Sequence, residues 1–392
     1  MAKIIQMFSN MDEDMKDYNK KIWEHRLKRY SKYALAGVLL VLIVLAMGFY
    51  LKNRSFHSYT IGSATERTDT LNTKYESFGG NILKYSRDGV SYTDEKNRLL
   101  FSITYTMQSP MLALSSQSGA VADKNGNQIF VFDQKEQQCE IKTLLPIKNL
   151  AVSDQGIVAV LMEEANATKL EIYSAEGKLL GDGIFSLEDT GYPMDLSISA
   201  DGSKIAISFA QVGGSKLGSC VAVYNFESVG ENHVDHLVFA QNYDEYILPE
   251  VHYFGNSIAT AVGDGLLAIY EGNQIPEVAK EIQFDEQIQS VFYGEESIAL
   301  VFKAEQGWRM EVYDLRGNRL AELTSDLNYK NIRVTDHSIV AYNDTEIGVY
   351  NYHGKECFRY TLEEAILDIF TTEYRNRYVL IFADETQAIK LQ

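Results

Sequence analysis

The residues whose types and spacing bear a chemical reading are few. The chain has seven histidines, and only His233-Val-Asp-His236, followed by His252, forms a group. Two imidazoles three residues apart share a helix face and can hold zinc, but here they sit in strand-rich sequence, where such a pair points to opposite faces. A solvated loop without metal is the expectation. The run Asp123-Lys124-Asn125-Gly126-Asn127 has the outline of a calcium loop but lacks an acidic residue at its third position and a glutamate at its twelfth. It reads as a turn. Glu163-Glu164, Glu295-Glu296 and Glu363-Glu364 are adjacent, so along a strand each pair diverges instead of facing one substrate. There is no G-x-S-x-G elbow, and none of Cys139, Cys220 and Cys357 stands beside a histidine in a nucleophile motif. Three cysteines so widely spaced build no disulfide framework. No catalytic, cofactor-binding or metal-ligating residue is assigned.

The elements that would position any site begin with residues 33–51, YALAGVLLVLIVLAMGFYL, a run of 19 without a charge. As a helix it is about 28 Å long, close to the roughly 30 Å of bilayer hydrocarbon. Seven basic residues lie within twenty before it, Lys16, Lys20, Lys21, Arg26, Lys28, Arg29 and Lys32, against Lys52, Arg54 and Arg67 after it. This asymmetry assigns 1–32 to a cytoplasmic basic juxtamembrane segment and everything beyond the helix to the outer side. The leader is too long, and a small-x-small site too plainly missing, for a cleaved signal peptide, so 33–51 reads as a signal anchor whose first partner is the lipid bilayer. Of the net charge of −18, residues 1–54 carry +5 and the remainder −23. So acidic an outer part excludes nucleic acid as a partner.

From residue 75 onward, short β-branched and aromatic runs alternate with Gly, Asn and Asp turns. A repeat emerges: a strand ending in an aromatic residue, then a polar turn and often a basic residue. Its anchors are Tyr92, Phe132, Tyr173, Tyr224, Tyr270, Tyr313 and Tyr350, spaced 40, 41, 51, 46, 43 and 37 residues apart, with Ile389 one period further. Four short strands per unit is the blade of a β-propeller. Proline recurs just before the inner strand, at Pro110, Pro146, Pro193 and Pro249, where no ladder donor is lost. Asp201-Gly202 reads as a hairpin turn. The fold expected is all-β: an eight-bladed propeller over 75–392, preceded by one transmembrane helix, with seven blades as the alternative. The final unit supplies only three strands. Its fourth is expected from the 52–74 linker, at residues 56–61.

With NILKYSRDGVSYTD, GYPMDLSISADGSKIAIS and VAVYNFESVGENHVDHL in view, the chain resembles an uncharacterised family of Gram-positive bacterial membrane proteins. Those carry one N-terminal membrane helix and an extracytoplasmic WD40-like propeller. The resemblance runs from Tyr33 to the end and implies architecture and location, without catalytic residues to transfer. The layout is also similar to propellers that scaffold envelope assembly and to quinone-dependent dehydrogenases. The latter repeat a tryptophan docking motif, whereas this chain has only Trp23 and Trp308, which argues against the cofactor.

The expected function is therefore a non-catalytic binding or scaffolding module in the cell envelope, its partner another envelope protein or a cell-wall polymer. Two alternatives are an enzyme acting on glycan or peptide through acidic residues at the propeller mouth, and a transmembrane sensor. Convergent carboxylates in one pocket favour the enzyme, and an apolar patch on one face favours the scaffold.

Overall fold

The computed structural model describes residues 23, 35, 37–44, 47, 48 and 54–392, except 68, 71, 95, 214, 215 and 373. Residues Met1–Ser55 form one unit and Phe56–Gln392 another. The described residues between 35 and 48 are helical. Among the described residues no helix is long and apolar enough to cross a membrane; much of the expected 33–51 span lies outside them.

The larger unit is an all-β propeller of eight four-stranded antiparallel sheets. Blades 1 to 7 cover residues 74–104, 110–142, 147–186, 192–243, 250–283, 288–325 and 331–361. The eighth combines 366–391 with an N-terminal strand, Tyr59–Glu66. Within blades 1 to 7 the strands pair in chain order, and the first strands of blades 2 and 3, 3 and 4, 4 and 5, and 6 and 7 touch.

The sequence makes such blades because each sheet needs two apolar faces. A blade lies between two others, so its middle strands read as near-continuous apolar runs instead of alternating ones. In blade 3, Val158–Glu164 is buried over its first five residues, and in blade 6, Ser297–Lys303 is buried over six of seven. The core is correspondingly distributed. Each of eight apolar clusters joins one blade to the next, from Phe78 with Phe132 between blades 1 and 2 to Tyr75 with Ile381 between blades 8 and 1.

Every expected anchor lies in a third strand. There the pairing with the fourth strand slips by one residue, for example between Ile172 and Tyr173 and between Val349 and Tyr350. In blade 1 the slip falls after Tyr92, so Thr93 holds the place the aromatic takes elsewhere. Of the four prolines expected before inner strands, Pro146 and Pro249 immediately precede theirs, whereas Pro110 opens its strand and Pro193 is the second residue of its own.

Closure comes from the N-terminal side. Tyr59–Glu66 pairs antiparallel with Glu385–Leu391, setting Tyr59 opposite Leu391 and Ile61 opposite Ile389. The strand lies three residues later than the expected 56–61, because the preceding residues bond elsewhere. Phe56 donates its N–H to the Cys357 carbonyl of blade 7 at 2.7 Å, and His57 to that of Gln392 at 2.9 Å.

Candidate functional site

The residues singled out for chemistry are not brought together. His233 and His236 lie in two short 3-10 turns between the last two strands of blade 4, where His236 stacks on Phe226 with ring centroids 5.1 Å apart. His252 is instead in the first strand of blade 5, stacked on Tyr293 at 4.3 Å. Among the described residues no three of His, Cys, Asp and Glu form a metal-ligating group. The Asp123–Asn127 run is a hairpin turn whose carboxylate accepts the N–H groups of Gln108 and Ser109 at 3.1 and 2.8 Å. The three glutamate pairs are exposed, and Glu163 pairs with Lys148 at 2.5 Å. The three cysteines are free thiols, and burial raises the pKa of each, which keeps them unreactive.

The first strands bring a different set of polar groups to the axis. In four blades an Asn or Asp folds back onto the next N–H or onto a neighbour: Asn149, Asp195, Asn331 and Asp368. Asp195 accepts the Asn149 amide at 2.9 Å with one oxygen and the Val251 N–H at 3.1 Å with the other, so it ties blades 3, 4 and 5. Arg333 of blade 7 forks onto Asp368 of blade 8 at 2.9 and 3.0 Å, lies over the Phe370 ring and reaches Glu76 of blade 1 at 3.8 Å. Tyr342 also donates to Asp368. These groups form a structural belt in which charge is spent on joining blades.

Glu250 stands apart. It accepts a hydrogen bond from the Tyr293 hydroxyl at 3.4 Å, and its pKa is raised by burial and by the charge of Asp195. The residue is exposed to water at the start of the first strand of blade 5. Beside it, burial depresses His252 to about 4 and raises Tyr293 strongly, so both rings are neutral near pH 7. One acid without a second free carboxylate facing it is poor equipment for hydrolysis.

The outstanding surface feature is on blade 4. Its middle strands, Lys204–Gly213 and Lys216–Asn225, are ten residues each, against five and six for Ile258–Val262 and Leu266–Glu271 of blade 5. The hairpin therefore overhangs its neighbour by several residues, about 3.3 Å each. Register pairs and alternate residues share a sheet face, which places Tyr192, Val212 and Leu217 together, Tyr192 opposite Ala210 and Val212 opposite Leu217. Lower on that face Ala206 and Val221 pack against blade 5. Above blade 5 nothing among the described residues continues the cover, and Tyr192, Val212 and Leu217 are 55%, 77% and 55% exposed. The result is an apolar ledge.

The profile of a family described as "Family of unknown function (DUF5711)" matches residues 52–391. The chain belongs to that family. No curated protein matches it. Among solved structures, AztD from Citrobacter koseri is 11% identical with a TM-score of 0.52, over 75% of this chain and 86% of its own. Sqt1 from Chaetomium thermophilum, bound to the N-terminus of the ribosomal protein L10, is 12% identical with a TM-score of 0.52, over 86% and 97%. BamB from Moraxella catarrhalis is 11% identical with a TM-score of 0.49, over 85% and 100%. At these identities the likeness is one of fold alone.

For this DUF5711 member the polar belt and the ledge were both missed from sequence. The belt residues carry no motif, since a single Asn or Asp per strand looks like any turn-forming residue. The ledge had a signal. The longest anchor spacing, 51 residues between Tyr173 and Tyr224, spans the stretch in which the hairpin lengthens.

Proposed function

We propose that this protein is a non-catalytic binding module, held at the cell membrane by residues 33–51 with its propeller outside, and that the blade 4 ledge docks a protein partner. The observation that carries this reading is the shared exposure of Tyr192, Val212 and Leu217 on one face, above the point where blade 5 stops covering it. Three large apolar side chains side by side can be covered by one partner, which gains about 25 cal/mol for each Å² of apolar surface removed from water. The propeller of Sqt1 is bound to the N-terminus of another protein, and an extended segment of that kind fits a ledge beside a hairpin. An envelope partner follows from the basic-then-apolar N-terminal pattern.

A second reading rests on Glu250, the channel carboxyl with a raised pKa beside Tyr293. It makes the channel mouth an acid site on a surface glycan or peptide. The docking reading is preferred because Asp195, the nearest carboxylate, already has both oxygens occupied.

The test is a photo-crosslinking residue in place of Tyr192 in intact cells. Docking at the ledge gives one discrete protein adduct that the same probe at Lys178, on an exposed turn of blade 3, does not give. Identical adduct patterns from both positions refute the reading.

A further inference from the structure

In blades 4, 6 and 7 a side chain fills the turn side of the seam with the preceding blade. The filler stands two residues past the recurrent anchor of the third strand. Phe226 of blade 4 packs into the core shared with blade 3, Leu315 of blade 6 into that shared with blade 5, and Tyr352 of blade 7 into that shared with blade 6. In blade 2 the position is Gln134, whose amide lies against Gly79 of blade 1 and donates to the Ser116 carbonyl at 2.9 Å. Blade 5 has Gly272 there, and Gln274 takes over by accepting the Asn225 amide at 2.8 Å and donating to Glu227 at 3.2 Å. Blade 3 has Ala175 there, a side chain of a single methyl group.

The seam between blades 2 and 3 therefore opens into a cavity of about 270 Å³. That is near the low end of the roughly 300–1,000 Å³ of small-molecule sites. Gln117, Gln138 and Gln155 line it together with Asp133, Lys135, Asp154 and Ala175. The three amides make no hydrogen bond to the protein among the described residues. Both carboxylates are held in place through one oxygen: Asp133 accepts the N–H groups of Lys135 and Glu136 at 2.6 and 2.8 Å, and Asp154 accepts the N–H and hydroxyl of Ser116, each at 2.9 Å. The second oxygen of each has no protein donor among the described residues.

These walls define the ligand. With Ala175 the sole apolar side chain of the lining, a lipid or hydrocarbon group gains nothing here. Two fixed carboxylates outweigh the single ammonium of Lys135, so a free phosphate or sulfate meets a net negative wall and is disfavoured. Amides that both donate and accept, beside carboxylate oxygens that accept, are satisfied together by groups that also do both, and vicinal hydroxyls are such groups. We propose that the seam between blades 2 and 3 is a binding site for a neutral sugar unit, opened by Ala175. This site is separate from the ledge and does not depend on it.

The experiment is saturation-transfer NMR of the full chain in a non-glycosidic detergent, with glucose, N-acetylglucosamine and, as an anionic control, glycerol 3-phosphate. At least one neutral sugar gives a signal and the phosphate gives none. Ala175→Phe, which installs the side chain blade 4 already carries at its own seam, abolishes that signal while the melting midpoint is kept or raised. Gln138→Ala and Gln155→Ala each weaken binding about three- to tenfold, the scale of one hydrogen bond. No sugar signal from folded protein, or an undiminished one in Ala175→Phe, overturns the proposal. Partner crosslinking at Tyr192 persists in Ala175→Phe, so failure of the sugar site and failure of the docking reading are read separately.

Discussion

Val212 and Leu217 face each other directly across the blade 4 hairpin, and both project above the blade that covers the rest of their sheet face. A pair so exposed contributes little to folding. Val212→Asp combined with Leu217→Asp shifts unfolding free energy by no more than about 0.5 kcal/mol per site, checked by denaturant titration. A large loss of stability would mean the ledge is covered within the chain.

Arg333 and Asp368 join the seventh and eighth blades beside the closure. Arg333→Met leaves the carboxylate without its cation in a site where only 15% and 11% of the two side chains meet solvent, and costs about 3–5 kcal/mol. Arg333→Met with Asp368→Asn costs less than the two single changes summed, because the amide oxygen still accepts from Tyr342 and from the Ile369 N–H. Strict additivity in thermal unfolding would show that the pair does not interact.

His252 gives the propeller an acid-sensitive element. Its folded pKa of about 4 lies below the ordinary 6.5, so between these values the unfolded chain binds the proton and the folded one does not. Stability from this group is complete above pH 6.5, declines as pH falls through that window, and amounts to at most about 3 kcal/mol. Glu250 and Asp195 near it have raised values, so they act in the opposite sense. The contribution of the imidazole is isolated by comparing unfolding at pH 7 and pH 5 with His252→Phe, which keeps a ring on Tyr293. The variant loses less stability on acidification than the parent; equal losses would refute the assignment.

Closure by Tyr59–Glu66 makes a truncation prediction. A chain lacking residues 1–53 keeps the four-stranded eighth blade and melts cooperatively. A chain lacking 1–66 leaves Glu385–Leu391 as an open edge and strips Tyr59 from Tyr360, whose rings are 5.0 Å apart, so it aggregates or melts far lower. Equal melting of the two would contradict the ring closure.

The architecture was legible because a propeller repeats one local pattern. Tyr173 and Tyr350 end third strands in sequence as they do in space, Tyr313 stands last but one in its own, and the short final unit announces its missing strand. Exact strand ends were not, since Phe56 looks as extended as Ile61, and only the long-range bond to Cys357 excludes it from the sheet. Sites were less legible for a physical reason. Asn149 meets Asp195 across 46 residues and Arg333 meets Glu76 across most of the ring, so no local spacing encodes either contact. The His233 group showed the reverse: residues near in sequence that the loop and the axis keep apart. The ledge lies between these cases, since an overlong hairpin is visible as a stretched repeat while its exposure depends on how short blade 5 is.

The measurement that bears most directly on the docking account is quantitative crosslinking and pull-down in intact cells with the parent chain and Val212→Asp/Leu217→Asp, matched for expression. The account predicts one or a few envelope proteins held by the parent and reduced at least about tenfold by the double variant, the loss expected when two apolar anchors of a small interface become charged. Recovery of the same proteins in the same amounts from both chains would contradict it and move the binding surface elsewhere on the ring.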